Sequence, residues 1–417
     1  MQKMQSILWI LFLLLCIALL DANPAKKVKV GADVLFENRT ELIKGKRVGL
    51  ITNHTALLSN GKHLADALKE FGDTKLVVLF GPEHGVRGDA PDGRTVHDTI
   101  DEKTGVPVIS LYGKINKPTP EMLKDVDVLI YDIQDVGARF YTYISTMFIC
   151  MEAAAENNIH FVVLDRPNPI TGVNVEGPIR IDSLKTFVGW VPIPTMHGMT
   201  VGELAIMANT SGWLKDRKPA KLSVVRMKNW KRKQWYDETK LQWIKPSPNM
   251  SSLQTATVYP GICLIEGINV SEGRGTEKPF EYIGAPWING NELAQKLNDK
   301  KLPGVKFEAI EFTPHEIPNV ASNPKYKDQL CGGVYVNIVN RNIINSVKIG
   351  LAVVSEIHTL YNDSLKFRER GFDRLAGTPV IREMILQGKD INDIEATWKE
   401  ELKEFMKQRK RVLLYLE

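Results

Sequence analysis

Cysteine is scarce: four in 417 residues, at positions 16, 150, 263 and 331, with no CxxC pair among them. A disulfide framework or a zinc knuckle is therefore disfavoured. The last three each sit among apolar neighbours ("MFICMEA", "GICLIEG", "QLCGGVYV"), which reads as buried packing with room for at most one disulfide. No GxGxxG follows the first strand-like run and no GxxxxGK[ST] occurs, so nucleotide binding has no fingerprint here. Nor is there a tight HxH or HExxH. Excess charge of one sign is also missing, since 54 basic and 49 acidic residues leave a formal net charge of +5. That balance argues against a nucleic-acid binder. The densest basic cluster (Lys407, Arg409, Lys410, Arg411) reads as a solvated helix end.

Long apolar runs are absent apart from one. Ile7 to Leu20, preceded by Lys3, is too short to span a bilayer and has the form of a signal-peptide core. Residues 1–22 are therefore expected to direct export, to the periplasm or the medium, with no stable membrane insertion once removed. "LLDA" is a poor cleavage site, which leaves an uncleaved anchor open; "LLL" ahead of Cys16 argues against a lipobox.

What is present is a hydrophobic content of 43%, ample for real cores, in a chain long enough for two units. Short apolar runs alternate with helical patterns through the first half. Strands are expected at 48–52, 76–80, 106–111, 126–131 and 161–164, with helices near 61–71, 120–124 and 141–157. Runs such as "KLVVLF" and "DVLIYD" suit strands buried on both faces. The fold class is thus α/β, a Rossmann-like parallel sheet at 26–285 followed by a smaller α+β unit at 286–417. Between about 166 and 289 the chain is rich in Pro, Gly and Asn, with a helix at 200–211 and a strand at 222–227. The second unit should hold helices at 290–298, 346–361, 379–387 and 391–407, and strands at 305–312 and 333–339.

Open parallel sheets bind ligands beyond the carboxyl ends of their strands. Four strand-end loops place Asn53, Glu83, His84, Arg87, Asp132, Gln134, Asp135, Arg139, Tyr141, Tyr143, Asp165, Arg166 and Asn168 at that one address. Later loops add His197, Asn249, Asn269, Glu272 and Arg274, together with Glu203 and Glu266. Asn and Arg on glycine-rich backbone suit a polyhydroxylated or acidic ligand. The bland alternatives are turn and cap roles: Glu203 as the capping-box partner of Thr200, and His197 beside it.

The stretches "FGPEHGVRGDAPDG", "YDIQDVGARFYTY", "LDRPNPITG", "MHGMTVGE", "KPSPNM", "YPGICLIEGINVSEGRGTEKPF" and "GAPW" resemble the exo-β-N-acetylmuramidase (NamZ) family. The resemblance runs in order from about residue 28 to the C-terminus. It implies release of N-acetylmuramic acid from the non-reducing end of peptidoglycan-derived muramyl saccharides such as MurNAc-GlcNAc. No bound cofactor is implied. It also implies that Glu83 is the general acid/base. Glycoside hydrolysis usually needs a second carboxylate, for which Asp132 is the first choice, with Asp135 and Glu272 behind it. The 2-acetamido group of the substrate is the other route. Recognition of the lactyl carboxylate calls for an arginine, with Arg139, Arg87 and Arg274 as candidates. Two other readings stand: a metal-dependent hydrolase built on His84, Asp132, His197 and Asp165, and a peptidoglycan-fragment binder without turnover.

Overall fold

A computed structural model describes residues 26–88 and 99–415. The expected signal peptide and the "DAPDG" end of the Glu83 motif lie outside the described residues.

A seven-stranded sheet forms the centre of the first unit. Its strands are β1 (Arg47–Thr52), β2 (Lys75–Gly81), β3 (Thr99–Ile100), β4 (Pro107–Ser110), β5 (Val128–Asp132), β6 (His160–Leu164) and, after the short antiparallel pair β7 (Glu176–Ile179) and β8 (Pro194–Met196), β9 (Lys221–Val225). The order is β3-β4-β2-β1-β5-β6-β9, parallel throughout except for β3 against β4. Consecutive side chains of β5 show why these strands need apolar runs. Val128 and Ile130 enter a core with helix Gly31–Asn38, whereas Leu129 and Tyr131 enter the larger core on the opposite face. Every residue of this strand is buried. Burying both faces removes the alternation that a half-exposed strand would carry.

The larger core runs without a break into the second unit, taking in Ile283, Leu293, Phe307, Val334, Val353 and Phe372. There a three-stranded antiparallel sheet has the order β10-β12-β11, from β10 (Tyr282–Ala285), β11 (Val305–Phe312) and β12 (Cys331–Ile338). Residues 282–285, expected at the end of the first unit, thus pair with strands of the second.

Two helices differ from expectation. Leu253–Ile262 is helical although Tyr259-Pro260-Gly261 spells a turn. It crosses the helix Ser346–Tyr361 so closely that a Cβ on Gly261 would lie 1.7 Å from the Ser346 carbonyl oxygen. Only glycine permits that contact, so close packing overrides the local turn signal. The single helix expected over 391–407 is two, Ile391–Ala396 and Lys399–Lys410. Between them the Thr397 hydroxyl bonds the Ile394 carbonyl and Trp398 turns into the core, 4% exposed.

Candidate active site

Glu83 stands two residues beyond the carboxyl end of β2, in a turn closed by the Gly85 N–H donating to the Pro82 carbonyl at 3.0 Å. His84 occupies the third turn position with φ +72° and Gly85 follows at +75°. A left-handed third position is where glycine normally stands in such turns, and a histidine there is strained. Both side chains line a cleft of about 250 Å³.

That cleft collects residues from the carboxyl ends of three strands. β2 supplies Glu83 and His84, β4 supplies Tyr112, and the segment after β5 supplies Phe140 to Tyr143. Phe187, Ser247, Tyr259, Glu266 and Arg274 close it from later segments of the chain. Aromatic rings dominate the wall: Tyr141 meets Tyr143 and Tyr259 edge to face at 5.0 and 5.9 Å. Thr142, at the start of the helix Tyr143–Glu156, donates its hydroxyl to Glu83 Oε2 at 3.3 Å. Burial, and then the neighbouring Tyr143, raise the Tyr141 phenol well above its ordinary value. It therefore stays protonated, a neutral hydroxyl on the cleft wall. The Tyr143 hydroxyl is turned away, donating to the Pro246 carbonyl at 2.6 Å.

A second carboxylate lines the same cleft, and it is Glu266. Arg274 Nη2 donates to its Oε1 at 2.9 Å, and Arg274 itself lies over the Phe280 ring at 5.1 Å. Among the described residues, Glu83 and Glu266 are the carboxylates of this lining. Glu272 stands one layer back, 4% exposed, ion-paired with Arg274 at 3.5 Å and Lys325 at 2.9 Å.

The other residues expected at the site are placed differently. Asp132, the first choice for the second carboxylate, is fully buried and held by the Arg166 fork, with Nη2 to Oδ2 at 2.9 Å. The pair balances itself inside the protein and does not line the cleft. Arg139 is 1% exposed and donates to three backbone carbonyls, those of Pro178, Ile193 and Leu375, tying the second unit to the first. Burial, with Arg180 nearby, pulls its guanidinium down to about 9, so it remains a cation at neutral pH, spent on carbonyls. Arg87 is clamped between Asp101 and Asp66 at 2.8 Å each. Of the three arginines considered for a lactyl carboxylate, Arg274 alone lines the cleft.

Asp165 accepts from the Thr200 hydroxyl, the Gly202 N–H and the Tyr415 hydroxyl at 2.6–2.8 Å. Burial pushes its carboxyl up to about 7 against the pull of the Tyr415 hydroxyl, with Glu203 adding to the rise. Glu203 is the capping-box partner of Thr200 and pairs with Arg232, the bland reading of that motif. His197 is fully buried, with Nδ1 accepting from the Met199 N–H and Nε2 lying 3.6 Å from Asp135.

The amides serve the backbone. Asn53 bonds Thr55, Gln134 donates to the Asp135 and Pro167 carbonyls, and Asn168 donates to the Met199 carbonyl. Asn249 donates to the Val320 carbonyl and Asn269 joins Ser364 to Lys366. Asp135 accepts from the Gly137 N–H at 2.7 Å. The four residues considered for a metal therefore do not converge, and among the described residues no group of three or more His, Cys, Asp or Glu is gathered to hold one.

Two larger hollows lie away from this cleft. One of about 640 Å³ opens at the amino ends of β1, β2 and β4, the wrong edge of an open sheet for ligand loops. Another, about 450 Å³ and bounded by Thr55, Arg166 and Tyr236, has no carboxylate or histidine in its lining.

A parallel-sheet α/β protein that sets two carboxylates, an arginine and a ring of tyrosines around one small cleft has the make-up of a carbohydrate-cleaving hydrolase. Comparison with known proteins narrows this. The chain matches the N-terminal model of the exo-β-N-acetylmuramidase NamZ over residues 48–254 and the C-terminal model over 257–415, and it belongs to that family. It is 50% identical over 390 residues, 93% of this chain and 92% of the relative, to the peptidoglycan β-N-acetylmuramidase NamZ of Bacillus subtilis strain 168. A crystal structure of a DUF1343 family protein from Bacteroides fragilis NCTC 9343, at 1.65 Å resolution, superposes with a TM-score of 0.86 at 42% identity, covering 93% of this chain and 99% of that one. Another from the same organism, at 1.30 Å, gives 0.77 at 38% identity, covering 94% and 100%.

Sequence reasoning missed Thr142, Ser247, Tyr259 and the role of Glu266. Thr142 sits inside "FYTY" and Glu266 eight residues before Arg274, so both lay within stretches already singled out.

Proposed function

We propose that this chain, a peptidoglycan β-N-acetylmuramidase by family, releases a terminal N-acetylmuramic acid from the non-reducing end of muramyl saccharides, with Glu83 as the general acid. The observation that carries this is the position of Glu83 on an aromatic-lined cleft of about 250 Å³. That volume falls just below the usual range of small-molecule pockets, roughly 300–1,000 Å³, and suits one sugar ring better than a threaded chain. A cleft for one ring favours removal from an end.

In this reading the Glu83 carboxyl gives its proton to the glycosidic oxygen as the C1–O bond breaks, the bonding pair leaving with that oxygen. Positive charge then develops at C1 and the ring oxygen. Glu266, paired with Arg274, is the carboxylate that faces this charge, in place of Asp132. Water adds to C1 and returns a proton to Glu83, closing the cycle. If the substrate's own acetamido group forms the intermediate, Glu83 keeps the same task and Glu266 orients that group. A Glu266→Gln variant with wild-type kcat and KM would remove Glu266 from either route.

The decisive experiment is incubation of the purified protein with MurNAc-GlcNAc. Release of both monosaccharides is expected; a disaccharide that is bound and left intact would instead support a binder. The run Ile7 to Leu20 supports export to where peptidoglycan lies. A mature N-terminus close after Ala22 is expected on sequencing the exported protein, and an intact Met1 in the exported fraction would count against cleavage.

A further inference from the structure

A second hollow, of about 330 Å³, opens beside the cleft. It shares Glu266 and Arg274 with the Glu83 cleft, so the ion pair between those two side chains is the wall separating the lobes. The rest of its polar lining includes Glu272, Asn323, Lys325 and Arg368.

Its charges do not cancel. Arg274 is shared between Glu266 and Glu272. Lys325 is ion-paired with Glu272 at 2.9 Å and donates to the Ile265 and Val270 carbonyls at 2.9 and 2.8 Å. Arg368 donates to the Glu266 backbone carbonyl and, among the described residues, has no carboxylate within ion-pair distance. Three cations and two carboxylates line this hollow. The surplus positive charge rests on Arg368, whose backbone is anchored by its N–H to the Gly267 carbonyl at 2.8 Å while the residue stays exposed.

We propose that this lobe is a carboxylate subsite: it receives the free lactyl carboxylate of a muramyl ring seated beside Glu83, and Arg368 is the residue that reads its charge. The inference rests on the function proposed above. One surplus guanidinium suits one carboxylate, and its planar fork can bind both oxygens at once. A muramyl ring whose lactyl group is capped as an amide offers no charge to this arginine.

The test compares chromogenic aryl glycosides of N-acetylmuramic acid and of its lactyl amide, reading kcat/KM for wild type, Arg368→Ala and Arg368→Lys. Wild type should prefer the free acid. Arg368→Ala should lose roughly 10- to 100-fold on the acid, the range for a charge-assisted hydrogen bond, with the amide unchanged, so that the acid-to-amide ratio collapses. Arg368→Lys should keep part of the ratio, and an unchanged melting temperature would show that the fold is intact. An Arg368→Ala enzyme with the wild-type ratio overturns the subsite. A wild type that cleaves acid and amide equally well also overturns it while leaving the muramidase reading standing. Failure of wild type on both glycosides would bring down that reading and the subsite with it.

Discussion

Glu83 and Asp132 lie at the carboxyl ends of the two strands that flank β1, and in a list of strand-end acids they look alike. Their surroundings differ: one lies in the interior and the other lines a cleft. Asp132 receives a buried guanidinium from Arg166 in a dry interior, whereas Glu83 stands half-buried at a cleft beside a neutral threonine hydroxyl. The same split runs through the rest of the carboxyl edge. Arg139, Asp165, Glu203, His197 and the amides are taken up by the protein's own backbone and side chains. Glu83, Glu266 and Arg274 face a space that a ligand can enter. A polar residue at a strand end is thus a candidate site residue where it lines an open cleft rather than the interior.

The largest effect should come from testing that split directly. Glu83→Gln should fold and bind like wild type while losing roughly 10²- to 10⁴-fold in turnover, the usual worth of general acid–base catalysis. Asp132→Asn should do the opposite, lowering stability while the folded fraction keeps kcat within about threefold, because catalytic stabilisation of that order needs a group aimed at the reacting atoms. Measuring kcat and thermal midpoint on both variants is enough. A folded Asp132→Asn enzyme as inactive as Glu83→Gln would erase the distinction.

The second prediction puts a size on the interior side. Removing one partner of a buried ion pair strands the other, at a cost of about 3–5 kcal/mol, whereas replacing both by apolar groups is often nearly neutral. Arg166→Met should therefore destabilise by about that amount in urea unfolding, and Arg166→Met with Asp132→Leu should recover much of the loss. Equal destabilisation by single and double variants would mean that shape, rather than charge balance, holds this position.

How much of this was legible in sequence follows from the same distinction. Strands such as β2 and β5 announce themselves because burial on two faces demands apolar runs, and nothing distant is needed to read that. The helix Leu253–Ile262 did not, because its Pro-Gly pair spells a turn and the reason for helix lies far along the chain, in the backbone that Gly261 touches around Ser346. At the site, Glu83, His84, Tyr141, Tyr143 and Arg274 carried their address in strand-end position and motif. Asp132 had the same address. What separated it from Glu83 was Arg166, 34 residues on, whose reach across the sheet is a tertiary fact. Glu266 was passed over for the converse reason: it follows no strand of the central sheet, and only tertiary packing brings it to the cleft that Glu83 lines.

The smallest effect asks whether an interior carboxylate is truly satisfied as an anion. Burial raises Asp165 from an ordinary 3.8 to about 7, and Glu176, also buried, from 4.5 to about 7. Between those values the folded protein binds protons that the unfolded chain has released. Their contribution to stability is therefore full below pH 4 and is lost as pH rises towards 7. Buried His63 works the other way, since burial lowers its pKa and folding then favours the deprotonated ring as pH rises. A bare pH profile mixes the two, so the useful quantity is the stability gap between wild type and Asp165→Asn. One proton is worth about 1.4 kcal/mol per pH unit, so the gap should be roughly 2 kcal/mol wider at pH 5 than at pH 7.5. A gap that stays constant would mean that the Tyr415, Thr200 and Gly202 donors hold Asp165 ionised throughout, making the interior a better host for charge than its burial suggests.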